Sequence, residues 1–270
     1  MTVKHAVLLA LPGTSGEEAA ETLRAVDEKI GRRFGVPRFW AYTSSGVRRK
    51  LEAAGRPVDG PKEAFDRMRG AGVTHVAVKA LHLAPGVEYE ELRDLAEKAR
   101  RAPEGFERIV LSAPLLASPA DVIRMAQCLL AAIPSGPAAD EALLLAAHGS
   151  RRRDAQSAYG AAADLCRRLD RRVILGTMMS SPGLADVVRE CRAEGVRKVW
   201  LAPLMVIAGS SARNDLGSAG PGSWRSELER EGIGCEPVLK GLGDNDGIVR
   251  MWIEDIARLL ADISGPDASP

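Results

Sequence analysis

The sequence predicts an α/β protein made of two related halves, each built on a parallel sheet. Two observations carry this. Short apolar runs alternate with longer amphipathic stretches along the whole chain, the pattern of parallel strands joined by crossover helices. The pattern also occurs twice with matching residues: Val7-Leu8-Leu9-Ala10-Leu11-Pro12-Gly13-Thr14 returns as Leu143-Leu144-Leu145-Ala146-Ala147-His148-Gly149-Ser150, and Ala71 to His82 returns as Glu194 to Met205. A duplicated unit builds a paired fold with a cleft between its halves, and whatever breaks the symmetry there is the best candidate for chemistry.

In the first half (residues 1–134), the apolar runs place strands near 5–11, 36–42, 75–81 and 108–112. The amphipathic stretches between and after them place helices near 16–33, 61–71, 88–102 and 119–133. A run of helix breakers and small residues, Pro134-Ser135-Gly136-Pro137 onward, makes 135–140 the linker. The second half (141–263) repeats the order, with strands near 142–147, 172–176, 198–204 and 235–239 and helices near 153–169, 183–193, 222–231 and 245–263. Residues 264–270 read as a disordered tail.

Composition narrows the function. A chain of 270 residues with 46% hydrophobic content can bury a core in each half. Its 37 Lys and Arg against 36 Asp and Glu give no general pull toward nucleic acid or membrane. Basic runs such as Arg151-Arg152-Arg153 lack interleaved aromatics and read as solvated helix faces. Cys128, Cys166, Cys191 and Cys235 form no CxxC pair, so reduced thiols are expected rather than disulfides or a zinc site. The amino terminus lacks the pattern of a signal peptide and no later run is long enough to span a bilayer, so the expected location is the cytoplasm. Oligomeric state is open, a homo-oligomer included.

Ligands of parallel α/β sheets bind beyond the carboxyl ends of the strands. Six loops lie there: 11–16 with its counterpart 147–152, 42–46 with 177–183, and 81–88 with 204–215. His148 is the leading candidate, because its repeat partner is Pro12 and the fold does not require a histidine at that position. His82 ends the third strand of the first half, opposite Met205 in the repeat, with Glu88-Tyr89-Glu90 opening the next helix. His5 and His75 fall at the amino ends of strands and read as structural. Gly13-Thr14-Ser15-Gly16 lacks the spacing and lysine of a phosphate-binding loop, and no GxSxG elbow surrounds Ser150, so nucleotide binding and serine hydrolysis are poorly supported.

With these segments placed, the chain resembles the anaerobic cobalt chelatases of cobalamin biosynthesis, the sirohydrochlorin cobaltochelatases, over nearly its whole length. The matching residues are Thr43-Ser44, Leu81-His82 with Gly86-Val87-Glu88-Tyr89-Glu90, His148-Gly149-Ser150, Pro203 to Gly209, Asn214-Asp215, Ser223-Trp224 and Leu239 to Gly243. The resemblance implies two flavodoxin-like halves clasping a tetrapyrrole, with Co²⁺ inserted as substrate metal, Fe²⁺ and Ni²⁺ left open, and no nucleotide. It implies His148 as base and metal contact, and Thr14, Ser44, His82, Glu88, Ser150, Met178, Met179, Ser210 and Ser211 as substrate-binding candidates. Where the family has a glutamate, this chain aligns Met179; where it has a further histidine, Ser211. Metal insertion displaces two pyrrole N–H protons, a step an imidazole suits, whereas thioether and hydroxyl hold Co²⁺ or Fe²⁺ poorly. Met178 and Met179 also suit an apolar floor under a flat macrocycle. Arg151, Arg152, Arg213 and Lys79 are cations able to meet substrate carboxylates. A second reading is a non-catalytic tetrapyrrole carrier, sensor or haem-type binder, with His148 as axial ligand.

Overall fold

The computed structural model describes residues 3–16, 18–134 and 136–265. In chain order its elements are β1 (His5–Leu11), α1 (Glu18–Arg33), β2 (Arg38–Tyr42), α2 (Ser45–Ala53), α3 (Pro61–Gly70), β3 (His75–Ala80), α4 (Val87–Arg101), β4 (Arg108–Leu111), α5 (Pro119–Leu130), β5 (Glu141–Ala147), α6 (Arg153–Leu169), β6 (Val173–Thr177), α7 (Leu184–Ala193), β7 (Lys198–Leu204), α8 (Trp224–Arg230), β8 (Gly234–Pro237) and α9 (Asp246–Ser264). The first sheet has the strand order β2-β1-β3-β4 and the second β6-β5-β7-β8, all parallel, so one topology is used twice. The repeat extends to register. Leu8 faces Phe39 and Val78, and its counterpart Leu144 faces Ile174 and Leu201.

The central strands are apolar because both of their faces are covered. Ala6 to Leu11 and Ala142 to Ala147 are all at most 1% exposed. One core cluster joins Leu8, Val76 and Val78 to Phe65, Met68 and Leu92 of the flanking helices. The other joins Leu144, Val199 and Leu201 to Val187, Trp224 and Leu228. Helix starts follow local chemistry: Pro61 and Pro119 stand in first turns, where a missing N–H costs nothing. Ser118 and Ser223 accept from Asp121 N and Ser226 N as caps.

The chain is not divided simply at its middle. One unit comprises residues up to His82, Val87–Pro114 and the chain from Val249; the other comprises Leu83–Gly86 and Leu115–Ile248. Thus α5, which follows the first sheet in sequence, packs on α6 of the second unit. Most of α9 belongs with the first sheet, where Asp255 receives Lys79 Nζ at 2.5 Å. Lys79 is only 3% exposed and so is committed to this helix, a correction to its reading as a cation for substrate carboxylates.

Three expectations need correction at this level. No element was expected between 42 and 61, yet α2 occupies Ser45–Ala53. Its apolar stripe is only Val47 and Leu51, beside Gly46 and three basic residues, too short to register as periodicity. The second strand starts at Arg38 rather than 36. Ser264 continues α9 as its last residue, with its hydroxyl donating to Leu260 O, rather than opening a tail. Residues 266–270 of that tail, and Ser135 of the expected linker, lie outside the described residues. No described helix is long and apolar enough to cross a membrane.

Candidate functional site

The candidate residues fall into two sets, one at the carboxyl end of each sheet. In the second unit, β5 delivers His148 directly from its buried end, and the histidine side chain is exposed. Gly149 follows with φ +82°, a conformation that disfavours any side chain; a Cβ there would also stand 2.8 Å from Ser180 Oγ and 2.9 Å from Thr177 Cβ. The repeat uses the same device at Gly13, φ +90°, packed on the Tyr42 ring. Glycine at both positions lets the chain turn tightly off the central strand, which puts the preceding residue, His148 or Pro12, at the rim.

The loops after β5 and β6 are tied together, and the loop after β7 is held separately by the segment after β8. Met178 N donates to Ala147 O at 2.9 Å and Met179 N to His148 O at 3.1 Å, so the loop after β6 is stitched to the histidine's own backbone. Thr177 Oγ1 donates to Ser180 O at 2.7 Å and lies 2.9 Å from Ser180 Oγ, which in turn accepts from Ser150 N at 3.4 Å. This hydroxyl latch was not foreseen; its only sequence trace is a pair of ordinary hydroxyl residues flanking the two methionines. The loop after β7 is anchored where Leu242 N meets Met205 O at 2.8 Å and Gly243 N meets Val206 O at 2.9 Å. Ser210 is exposed and Ser211 half-buried, just before a π-helical turn over Ala212–Gly217. The methionines separate by role: Met178 and Met205 pack on the second core, whereas Met179 is 44% exposed.

The segment after His148 is strongly cationic. Arg151, Arg152 and Arg153 are all exposed where α6 begins, and among the described residues only Arg152 has a carboxylate partner, Asp154 at 3.3 Å. Cations in the first turn oppose the helix dipole and cost about 0.3–1 kcal/mol each at a surface.

In the first unit, Thr14 Oγ1 accepts from Gly16 N at 3.2 Å in a local turn, and Ser44 N donates to Pro12 O at 3.2 Å as Ser44 leads into α2. Glu88 lies half-buried in the first turn of α4, where a carboxylate is favourable. His82 is buried, 5% exposed, with Nε2 3.0 Å from Thr43 Oγ1 and its ring edge-on to Tyr89 at 5.9 Å. Desolvation pushes the ring's pKa down to about 4, which keeps it neutral, and its Nδ1 is buried with no partner. His82 thus couples the ends of β3 and β2, while His148 presents its ring to solvent.

Among the described residues, no three His, Cys, Asp or Glu side chains converge to cage a metal ion. The four cysteines are free, and burial raises the thiols of Cys166 to about 11 and of Cys191 and Cys235 to about 12.

The doubled parallel α/β fold carries a histidine at the rim of each unit where the repeat has none, His148 against Pro12 and His82 against Met205. The cobalt chelatase family model (CbiK) matches residues 5–261, and the chain belongs to that family. It is 41% identical over 259 residues to the sirohydrochlorin cobaltochelatase CbiKC of Nitratidesulfovibrio vulgaris, covering 96% of this chain and 91% of that protein. It is 32% identical over 225 residues to the sirohydrochlorin cobaltochelatase of Salmonella typhimurium, covering 82% of this chain and 83% of that one. The fold is shared with SirB from Bacillus subtilis with Fe³⁺, at a TM-score of 0.64 and 16% identity over 97% of this chain and 98% of that one. CbiX, described as the terminal enzyme of siroheme biosynthesis in denitrifying bacteria, gives 0.58 and 19% over 94% and 99%.

Proposed function

We propose that the chain is a sirohydrochlorin cobaltochelatase in which His148 accepts a proton from the macrocycle and contacts the incoming metal. The observation that carries this reading is the placement of His148 as an exposed imidazole at the end of a buried central strand, in a chain of the cobalt chelatase family. The reaction exchanges two pyrrole N–H protons for one divalent metal: four ring nitrogens bind M²⁺ and two H⁺ leave. An imidazole can take one of those protons and pass it to water, and the second goes to solvent or a substrate carboxylate. Insertion also needs metal that is held weakly enough to move on, and an exposed imidazole outside any cluster of three metal-ligating side chains among the described residues meets that need better than a closed cage. Met179, the exposed methionine, gives the rim an apolar surface suited to a flat ring. The buried neutral His82 stands outside this step.

Cobalt is the metal of the family, and iron remains a second substrate of the same charge and ligand preference. The test follows metal-free sirohydrochlorin spectrally under anaerobic conditions with Co²⁺ or Fe²⁺, comparing the protein with its His148→Ala form. Acceleration by the native chain and not by the variant supports the assignment. A stable red-shifted complex without turnover would point to a tetrapyrrole carrier.

A further inference from the structure

We infer that Arg151 and Arg153 bind carboxylate side chains of the macrocycle and give the second unit its preference for a polycarboxylated tetrapyrrole. The inference rests on the proposed chelatase function and assigns recognition to residues next to the proposed base. It starts from the symmetry of the chain. The two halves match through Pro12-Gly13-Thr14 and His148-Gly149-Ser150, and the next three residues are Ser15-Gly16-Glu17 in one and Arg151-Arg152-Arg153 in the other. The same short stretch therefore gains a base and three guanidinium groups together.

Nothing in the fold calls for those cations. The first turn of a helix favours carboxylates, so arginine there runs against local electrostatics. Arg152 answers to Asp154, but among the described residues Arg151 and Arg153 have no side-chain partner, and both are exposed. The bend that carries them is held in place: Arg152 N donates to Ser150 Oγ at 3.2 Å, and Ser150 N to Ser180 Oγ at 3.4 Å. The guanidiniums thus hang from a backbone fixed three to five residues beyond His148. Sirohydrochlorin carries acetate and propionate groups around its whole edge, and a planar guanidinium pairs with carboxylate in a two-point geometry. A ring placed with its nitrogens at His148 brings such groups within reach of the neighbouring arginines.

The test measures the binding of metal-free sirohydrochlorin by absorbance titration, and KM and kcat for Co²⁺ insertion. The proteins are the native chain, Arg151→Gln, Arg153→Gln, the double variant and Arg197→Gln, which removes one exposed cation before β7 at the opposite end of the sheet. The double variant should bind about tenfold or more weakly, raise KM in step, leave kcat within about twofold, and show a shallower dependence of Kd on salt. Arg197→Gln should match the native chain. Lysine at both positions should restore part of the affinity. Native binding with an unchanged double variant would overturn this inference alone, as would an equal loss in Arg197→Gln. Absence of sirohydrochlorin binding by the native chain would overturn the chelatase assignment and this inference with it.

Discussion

His148, the proposed base, and its neighbour Gly149 should respond to substitution in opposite ways. His148 is exposed, so His148→Ala should leave stability within about 0.5 kcal/mol of the native chain, while insertion falls about 100-fold or more, the usual range for a lost general base. Thermal unfolding and initial rates measured on the same samples check both halves of that expectation. Gly149→Ala should do the reverse to the fold, costing about 1–3 kcal/mol, because φ +82° is unfavourable for alanine and the new methyl meets the Thr177–Ser180 latch. Urea midpoints would report it. His82 contributes through pH instead. Its folded pKa of about 4 lies below the ordinary 6.5, so the unfolded chain binds the proton better between those values. The stability that the neutral ring provides is complete above about pH 6.5 and is lost as pH falls toward 4, by about 3 kcal/mol. A denaturation series from pH 7.5 to 4.5 should therefore fall more steeply for the native chain than for His82→Gln.

Among helices and strands, α9 shows how a distant segment is captured. Lys79 is fully committed inside the first unit, with its side chain 4% exposed and that of Asp255 17% exposed. Removing Asp255 strands the buried Lys79 ammonium, so Asp255→Asn should cost about 3 kcal/mol. Lys79→Met should cost less, because Asp255 keeps its pairing with Arg258, and the double change to apolar residues should recover much of the loss. Guanidinium denaturation of the three variants measures the cycle. This pairing could not be read from the sequence, because nothing local links Lys79 to a residue so far along the chain. The strands were legible for the opposite reason: Leu8 and Leu144 sit in apolar runs that only a doubly covered strand explains. The short helix α2 was not, since Val47 and Leu51 make too brief a stripe to stand out.

Across the molecule, duplication makes the departures from symmetry informative. Pro12 against His148 and Glu17 against Arg153 are visible in the bare sequence, and both concern the second unit's rim. The rim's rigidity was invisible there, because the Thr177–Ser180–Ser150 hydrogen bonds join residues that carry no motif. Family resemblance also implies that Met179 and Ser211 stand where a glutamate and a histidine are usual. Met179→Glu with Ser211→His should accordingly tighten Co²⁺ binding in the absence of tetrapyrrole by about tenfold or more at neutral pH, measured by equilibrium dialysis. Unchanged affinity would mean that those side chains do not share a site with His148. The central claim is that this chain inserts cobalt through His148. Its most direct test is an anaerobic absorbance time course of sirohydrochlorin with Co²⁺, run with the native chain, with His148→Ala and without protein. The account predicts acceleration by the native chain alone; equal rates in all three would contradict it.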